Sequence, residues 1–502
     1  MKKTITFFLL IAAFCAYTQN AALDPAFGNL GYSVHSNTSE INCFNFDQNG
    51  GILSAGTFNQ GGGSWHLTIT KTDANGLIDT SFGTNGKVTT VISESEYPHD
   101  IMIQPDGKII VAGSVSFATS GNAGFVIRYN SDGSLDTSFA TNGIFTLSTS
   151  NSFYSIILPT DGSIILGGND ISSKGILVKL DSNGIEDSSF GTNGILPLDA
   201  AGFEFVLGQA ILLSDANILC VGHDDTDTSN QKIAYCKIDT QGNFDTSFGQ
   251  NGNGKVVTDL YNTAPNTSES LRQAKELPDN TLILEGGLLG QFYNSNILVK
   301  INSDGSFDTT FGTSGVVNHS YPRIGLELQA DGKIIIGGTK LINSNSSGYS
   351  ITRFNSDGSL DTTFNNGNGF VDIDPTPDHE GLQYIKLQAT DTLIIGGSSK
   401  LNSVGNFTLA RILLDTPLSV EEPLEQFVKV YPNPFKERFF VEDYEEIIKE
   451  IKIFDNAGRI IKTVSEPTQT VREIHTHFAS GMYFINIETK DGRTMNKKMI
   501  KK

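Results

Sequence analysis

The stretch NSDGSLDTSFATNG, residues 130–143, decides the fold, because its relatives recur along the whole chain. Its centre returns as LDPAFG at 23, IDTSFG at 78, LDTSFA at 135, EDSSFG at 186, FDTSFG at 244, FDTTFG at 307 and LDTTFN at 360. A second phrase, an apolar run behind a turn, alternates with the first. It reads NGGILSAG at 49, PDGKIIVAG at 105, TDGSIILGG at 160, SDANILCVG at 214, PDNTLILEGG at 278, ADGKIIIGG at 330 and ATDTLIIGG at 389. Each phrase has seven copies, spaced about 51–64 residues apart. A period of that size belongs to a propeller or a solenoid, not to independent domains.

One period, residues 87–143, holds four short β-rich runs: KVTTVI, HDIMIQ, KIIVAG and GFVIRYN. Four short antiparallel strands make a propeller blade. Asp106-Gly107 joins the second run to the third as a hairpin turn with both central residues at positive φ. A glycine follows every third run: Gly56, Gly113, Gly168, Gly222, Gly286, Gly338 and Gly397. Such a glycine marks a bulge or a close backbone approach. One phenylalanine recurs in every copy: Phe27, Phe82, Phe139, Phe190, Phe248, Phe311 and Phe364. It reads as a plug between neighbouring blades in preference to a cofactor-stacking ring, and truncating such a buried ring costs about 3–5 kcal/mol.

A basic residue precedes the motif aspartate by eight positions in Lys71/Asp79, Arg128/Asp136, Lys179/Asp187, Lys237/Asp245, Lys300/Asp308 and Arg353/Asp361. Across a hairpin the two face each other as an ion pair of roughly 0.2–1 kcal/mol, which sets register more than stability. Two residues lack a partner: Arg411 has no aspartate after it, and Asp24 has no base before it. Each supplies what the other lacks. Residues 20–34 are therefore expected against residues 400–415, with Asp24 beside Arg411, closing a ring and removing its open edges. An open solenoid would keep them apart. The expected fold is all-β, a seven-bladed β-propeller over residues 19–415, followed by a small C-terminal β-sandwich.

Bulk properties agree. The chain has 502 residues, 52 of them glycine, and 32 phenylalanines against one tryptophan, which suits a turn-rich β protein. The net charge is −20, and residues 419–502 carry 14 basic and 14 acidic groups, so the excess acid lies in the long N-terminal part. An acidic body argues against nucleic acid, whose binding rests on Lys and Arg neutralising phosphates. Lys2 and Lys3 precede an apolar run from Ile5 to Ala16. That run is short for a membrane span and reads as a signal peptide over residues 1–18. No other segment reads as transmembrane, so the mature chain is expected to be exported, soluble and monomeric. Cys43, Cys220 and Cys236 remain, too few for a disulfide framework. Cys220 and Cys236 fall on neighbouring strands as either one bridge or two free thiols.

The repeats PDGKIIVAG and RYNSDGSLDTSFATNG resemble the delta-60 repeat family of bacterial exported proteins, over about residues 23–415. That resemblance implies a propeller-like fold and no particular activity. Past Arg411 the style changes. Residues 416–427 read as a Pro- and Glu-containing linker. Residues 428–502 read as short strands, with hairpins at 456–458 and 491–492 and with YEEIIKEIKIF as turn plus strand. VYPNPF at 430, IFDNAGRII at 453 and SGMYFINI before the basic end KKMIKK together resemble the type A C-terminal sorting domain of the type IX secretion system. The resemblance implies recognition of residues 428–502 by that machinery. It also implies secretion or attachment to the outer-membrane surface.

Chemistry is sparse. GQNGNGK at 249–255 is followed by Val256, where a phosphate loop needs a hydroxyl. It reads as a repeat turn. The loop HDDTDTSN holds Asp224, Asp225 and Asp227, weak candidates for calcium, beside the simpler reading of a solvated acidic loop. His475 and His477 share a strand face without a visible cluster. No catalytic residue and no cofactor site is assigned. Two functions compete: a binding or adhesion scaffold for a glycan or protein, and a secreted hydrolase, polysaccharide-active or other. Three or more carboxylates or histidines converging at the channel mouth from different blades would favour the enzyme.

Overall fold

The computed structural model describes residues 19–29, 31–35, 40–59, 63–117, 121–199, 203–260, 267–290, 294–322, 324–343, 346–365, 367–373, 380–401, 404–417, 428–443, 448–455, 459–465, 471–490 and 494–502. The signal-peptide reading, most of the linker and the tail turns at 456–458 and 491–492 lie outside these residues. The chain divides into two compact units, Met1–Thr416 and Pro417–Lys502. Regular structure among the described residues is all strand.

The repeat explains the first unit. Its described residues form seven antiparallel sheets, six of four strands and one of five. In one of them Ser95–Ile103 is innermost, followed by Ile109–Phe117, Gly121–Tyr129 and the outer Ile144–Leu147. The two middle strands are apolar at nearly every position because another sheet covers each of their faces. Ile109, Val111, Phe125 and Ile127 share a core with Leu53 and Leu67 of the preceding sheet. Ile110, Ala112 and Val126 share one with Phe153 and Leu166 of the next. A short continuous apolar run is the mark of such a strand.

The phase of the repeat differs from the sequence reading. Lys87–Thr90 is not the first strand of the sheet that follows it; it pairs with Leu67–Thr70 and is the outer strand of the preceding one. The turns differ as well. Gly107 and Gly133 have φ of +85° and +87°, but Asp106 and Asp132 do not share the positive region. Gly133 N–H donates to Asn130 O at 2.9 Å, and the Asp132 carboxylate accepts Ser134 N–H at 2.8 Å. That is a type I turn closed by a left-handed glycine, with the aspartate held right-handed by its own side-chain bond.

The sheets follow one another in a circle. Innermost strands Glu40–Phe46, Ser95–Ile103, Ser150–Ile157, Phe205–Leu212, Thr267–Glu276, Gly325–Leu328 and Glu380–Ala389 each pack on the next, and the last packs on the first. The five-stranded sheet combines both ends of the unit: Gln19–Leu23 and Tyr32–His35 both pair with Val404–Pro417. Tyr32–His35 lies opposite Ala410–Phe407. Asp24 N–H donates to Arg411 O at 2.9 Å, and Arg411 Nη2 lies 2.7 Å from Asp24 Oδ2.

In the second unit, Val428–Tyr431, Arg438–Asp443 and Val471–His475 form one sheet. Ile460–Ser465, Ile448–Phe454, Gly481–Thr489 and Thr494–Lys501 form another. The two share a single core, in which Phe435, Phe439, Ile451, Ile485 and Met499 are buried. Ile448–Phe454 is a strand, so the latter part of YEEIIKEIKIF is not helical.

Candidate functional site

Two sets of recurring residues occupy different depths of the first unit. The outer set is the one visible in sequence. Phe27, Phe82, Phe139, Phe190, Phe248, Phe311 and Phe364 are each no more than 1% exposed. Six of these rings fill the space where the turn glycine of the next sheet would otherwise carry a Cβ: one added at Gly76, Gly133, Gly184, Gly242, Gly305 or Gly358 would fall 2.5–3.2 Å from the ring. The first of these contacts runs from the closing sheet to the first. All seven base–aspartate pairs form, from 2.7 Å in Arg411–Asp24 to 3.5 Å in Lys179–Asp187 and Lys237–Asp245. They are more deeply set than a surface register pair: Arg353 and Asp361 are 0% and 2% exposed. Several bases also reach onward, Arg128 to Ser182 O at 2.6 Å and Arg411 to Ala74 O at 2.9 Å. Burial alone would raise the Asp136 carboxyl, but bonds from Ser138, Lys108 and Arg128 outweigh it and hold the group well below the carboxylate range. These residues join neighbouring sheets.

The inner set was missed from sequence. Each innermost strand, apart from Gly325–Leu328, carries a one-residue register shift, and Ser150–Ile157 and Glu380–Ala389 carry a second that skips Asn151 and Gln388. The other skipped residues are Asn42, His99, Tyr154, Gly208, Arg272 and Gln383, and all six line one cavity of about 510 Å³. A bulge turns a side chain out of the pleat, so one device repeated round the circle brings one residue per sheet to the same depth. The glycine of the neighbouring strand is its sequence trace. A Cβ at Gly113 would lie 2.0 Å from Tyr97 O, on the bulge itself, and one at Gly56 would lie 1.9 Å from Glu40 O. Reading one residue past the partner of each such glycine would have located the ring.

Below the ring, side chains satisfy the inward edges of the sheets. Asp100 Oδ2 accepts Ile156 N–H at 2.7 Å, and Ser155 Oγ accepts Ala210 N–H at 2.9 Å. Gln209 Oε1 accepts Ala274 N–H and Gln273 Oε1 accepts Leu326 N–H, both at 2.8 Å. Innermost strands have no strand on their inward side, and buried N–H groups require an acceptor. Charge gathers at the same level: Lys275 pairs with Glu327 at 2.8 Å. Burial, helped by Lys275, lowers the Lys386 ammonium, while Glu327 and Asp100 act the other way. Burial raises Asp100 and pushes His99 down to about 4, so His99 is neutral at pH 7. The His99 and Tyr154 rings lie 5.2 Å apart. Asn42 Oδ1 is buried without a hydrogen-bond partner among the described residues, although its residue lines the cavity. The ring therefore presents an acceptor, two rings and a guanidinium to whatever enters. Among the described lining residues the histidine and carboxylate are His99 and Asp100, both from one sheet.

The acidic loop does not assemble into a site. Asp224 accepts Glu204 N–H and the Thr226 hydroxyl, Asp225 accepts Gln231, and Asp227 caps its own turn at Ser229. Among the described residues no three His, Cys, Asp or Glu side chains converge as metal ligands would. Cys220 and Cys236 lie directly opposite each other in register, and both are free. No described helix is long and apolar enough to cross a membrane.

Comparison with known proteins places families on both units. A β-propeller domain of unknown function, DUF5122, matches residues 48–82, 104–139, 288–311 and 329–364. A secretion system C-terminal sorting domain matches residues 429–502. Such a domain marks proteins that are secreted or anchored on the cell surface. Among curated proteins, Beta-agarase A of Zobellia galactanivorans is 38% identical over 79 residues, which span 16% of this chain and 15% of the agarase. Similar solved structures include a lectin of Burkholderia pseudomallei, with 10% identity and TM-score 0.43, covering 76% of this chain and 98% of the lectin. The NanB sialidase of Streptococcus pneumoniae has 12% identity and TM-score 0.37, covering 77% of this chain and 70% of the sialidase.

Proposed function

From a chain that carries DUF5122 β-propeller repeats and a secretion-system C-terminal sorting domain, we propose an exported binding or adhesion protein. Residues 19–415 are its seven-bladed scaffold, and the ring of bulged residues is its ligand site. Residues 1–18 are the signal peptide, 416–427 the linker and 428–502 the sorting sandwich. The protein acts as a monomer on or beyond the outer membrane.

The observation that carries this reading is Asn42 Oδ1, a buried acceptor without a donor on the wall of an otherwise well-bonded cavity. An orphaned acceptor of this kind costs about 1–3 kcal/mol unless something donates to it. A ligand hydroxyl supplies a donor, and the His99–Tyr154 pair gives a sugar or aromatic face a surface to lie on. Binding is favoured over hydrolysis because, among the described residues lining the cavity, the histidine and carboxylate are His99 and Asp100 of a single sheet, short of three sheets. The test is a glycan array with a parallel turnover assay on the intact protein. Binding of a hydroxyl-rich ligand, weakened at least tenfold in Asn42→Ala and Tyr154→Ala, supports the reading. Turnover of any polymer replaces it with the hydrolase alternative, and binding indifferent to both variants moves the site elsewhere.

A further inference from the structure

The sorting unit carries an apolar surface that its own fold leaves uncovered. In its four-stranded sheet, alternate residues point to opposite faces. Ile451, Ile453, Tyr483, Ile485 and Met499 point into the shared core. On the other face Ile460 is 54% exposed, Phe484 and Ile500 are each 42%, and Met482 is 41%. Register makes these one patch. Phe454 lies opposite both Ile460 and Phe484, and Met482 lies opposite Ile500. Single exposed apolar residues need no explanation, but four of them grouped round the half-buried Phe454, together drawn from all four strands of one sheet, do.

Two further features define the patch. Lys498 lies opposite Phe484 and borders the apolar group, while Lys452, two residues from Phe454, is already paired with Glu450. The outer edge of the terminal strand is already occupied by the YPNPF segment. Ile500 N–H donates to Asn433 Oδ1 at 2.9 Å, Asn433 Nδ2 to Lys498 O at 2.8 Å, and Phe435 N–H to Ile500 O at 2.9 Å. Strand addition at that edge is closed, whereas the face is open.

We propose that this face is where the tail docks on the secretion machinery, against a partner surface that is apolar and bordered by acidic groups. This rests on the sorting-domain assignment and is independent of the channel reading. The residues point to that occupant. Phe454 and Ile460 belong to IFDNAGRII, Met482 and Phe484 to SGMYFINI, and Lys498 and Ile500 to the basic end, all within the matched sorting domain. Each phrase thus supplies both an inward residue for the fold and an outward one for the patch.

The experiment follows full-length chain expressed in a bacterium with a working type IX system, comparing secreted with cell-retained protein. Met482→Ser/Phe484→Ser and, separately, Lys498→Glu are expected to lower secretion about tenfold. Each should unfold at the temperature of the unaltered protein. Phe484→Leu should restore secretion, and Lys449→Gln, at the far end of the same face, should leave it unchanged. Normal secretion of the folded double variant or of Lys498→Glu overturns the proposal. So does a wild-type dimer, seen by sedimentation, that the double variant abolishes without loss of secretion. Should the double variant melt early, Lys498→Glu, which alters an exposed side chain, decides the matter.

Discussion

Gly133 shows how much of this protein is set by single residues. Its φ of +87° is unfavourable for other residues, and an added Cβ would meet the Phe82 ring at 2.9 Å. Gly133→Ala combines backbone strain with displacement of a buried ring, and we expect a loss of about 2–4 kcal/mol in urea unfolding. Histidine protonation gives a second prediction at this scale. Burial lowers His35 from 6.5 to about 4, and the residue is 8% exposed. Between those two values the unfolded chain binds the extra proton. The stability His35 contributes is therefore whole above about pH 6.5 and is lost as pH falls toward 4, by at most about 3 kcal/mol. The depressed Asp136 carboxyl acts in a lower window, losing its contribution only as pH falls below the ordinary aspartate value. Thermal melts from pH 7 to 4 should thus decline steadily, and His35→Gln should make that decline shallower while leaving the share that His99 contributes over the same window. The glycine and phenylalanine positions were legible in sequence because each answers a local demand repeated seven times. His35 and Asn42 were not, since nothing in their own neighbourhood of chain shows that they are buried.

At the scale of elements, the bulge and its glycine act as a pair. Gly113 faces the Tyr97 carbonyl so closely that a Cβ would sit 2.0 Å from the oxygen, whereas at Gly481 nothing lies within 4 Å. Gly113→Ala should cost more than about 2 kcal/mol by forcing the inner strand outward, and Gly481→Ala should be near neutral. The same comparison tests the cavity: moving the bulge moves His99, so Gly113→Ala should weaken ligand binding beyond its effect on stability. The existence of four strands per period could be read from alternation and turns. Their grouping could not. Lys87–Thr90 follows one sheet and precedes another, and either would satisfy its hydrogen bonds equally on local grounds. Its true partner, Leu67–Thr70, is chosen by the path of the chain through the Phe82 turn.

For the whole molecule the decisive contact joins residues almost four hundred positions apart. Tyr32–His35 and Gln19–Leu23 cover the edge of Val404–Pro417, and Phe27 fills the space beneath Gly76. Deleting residues 19–35 should expose that edge, empty that space and abolish a single cooperative unfolding transition. A milder cut is a double-mutant cycle on Asp24→Asn and Arg411→Met, with an expected coupling of about 1–3 kcal/mol.

The sequence by itself determined the number of repeats, the C-terminal sorting domain and the partnership of Asp24 with Arg411. Each of these is a statement about a pattern and what the pattern lacks. Tertiary structure alone decided which strand belongs to which sheet, that the Arg128–Asp136 and Arg353–Asp361 pairs are buried, and that six unlike residues share one cavity. Those outcomes depend on the circle bringing innermost strands together, and neighbours in that circle lie more than fifty residues apart in sequence, beyond the reach of any local rule.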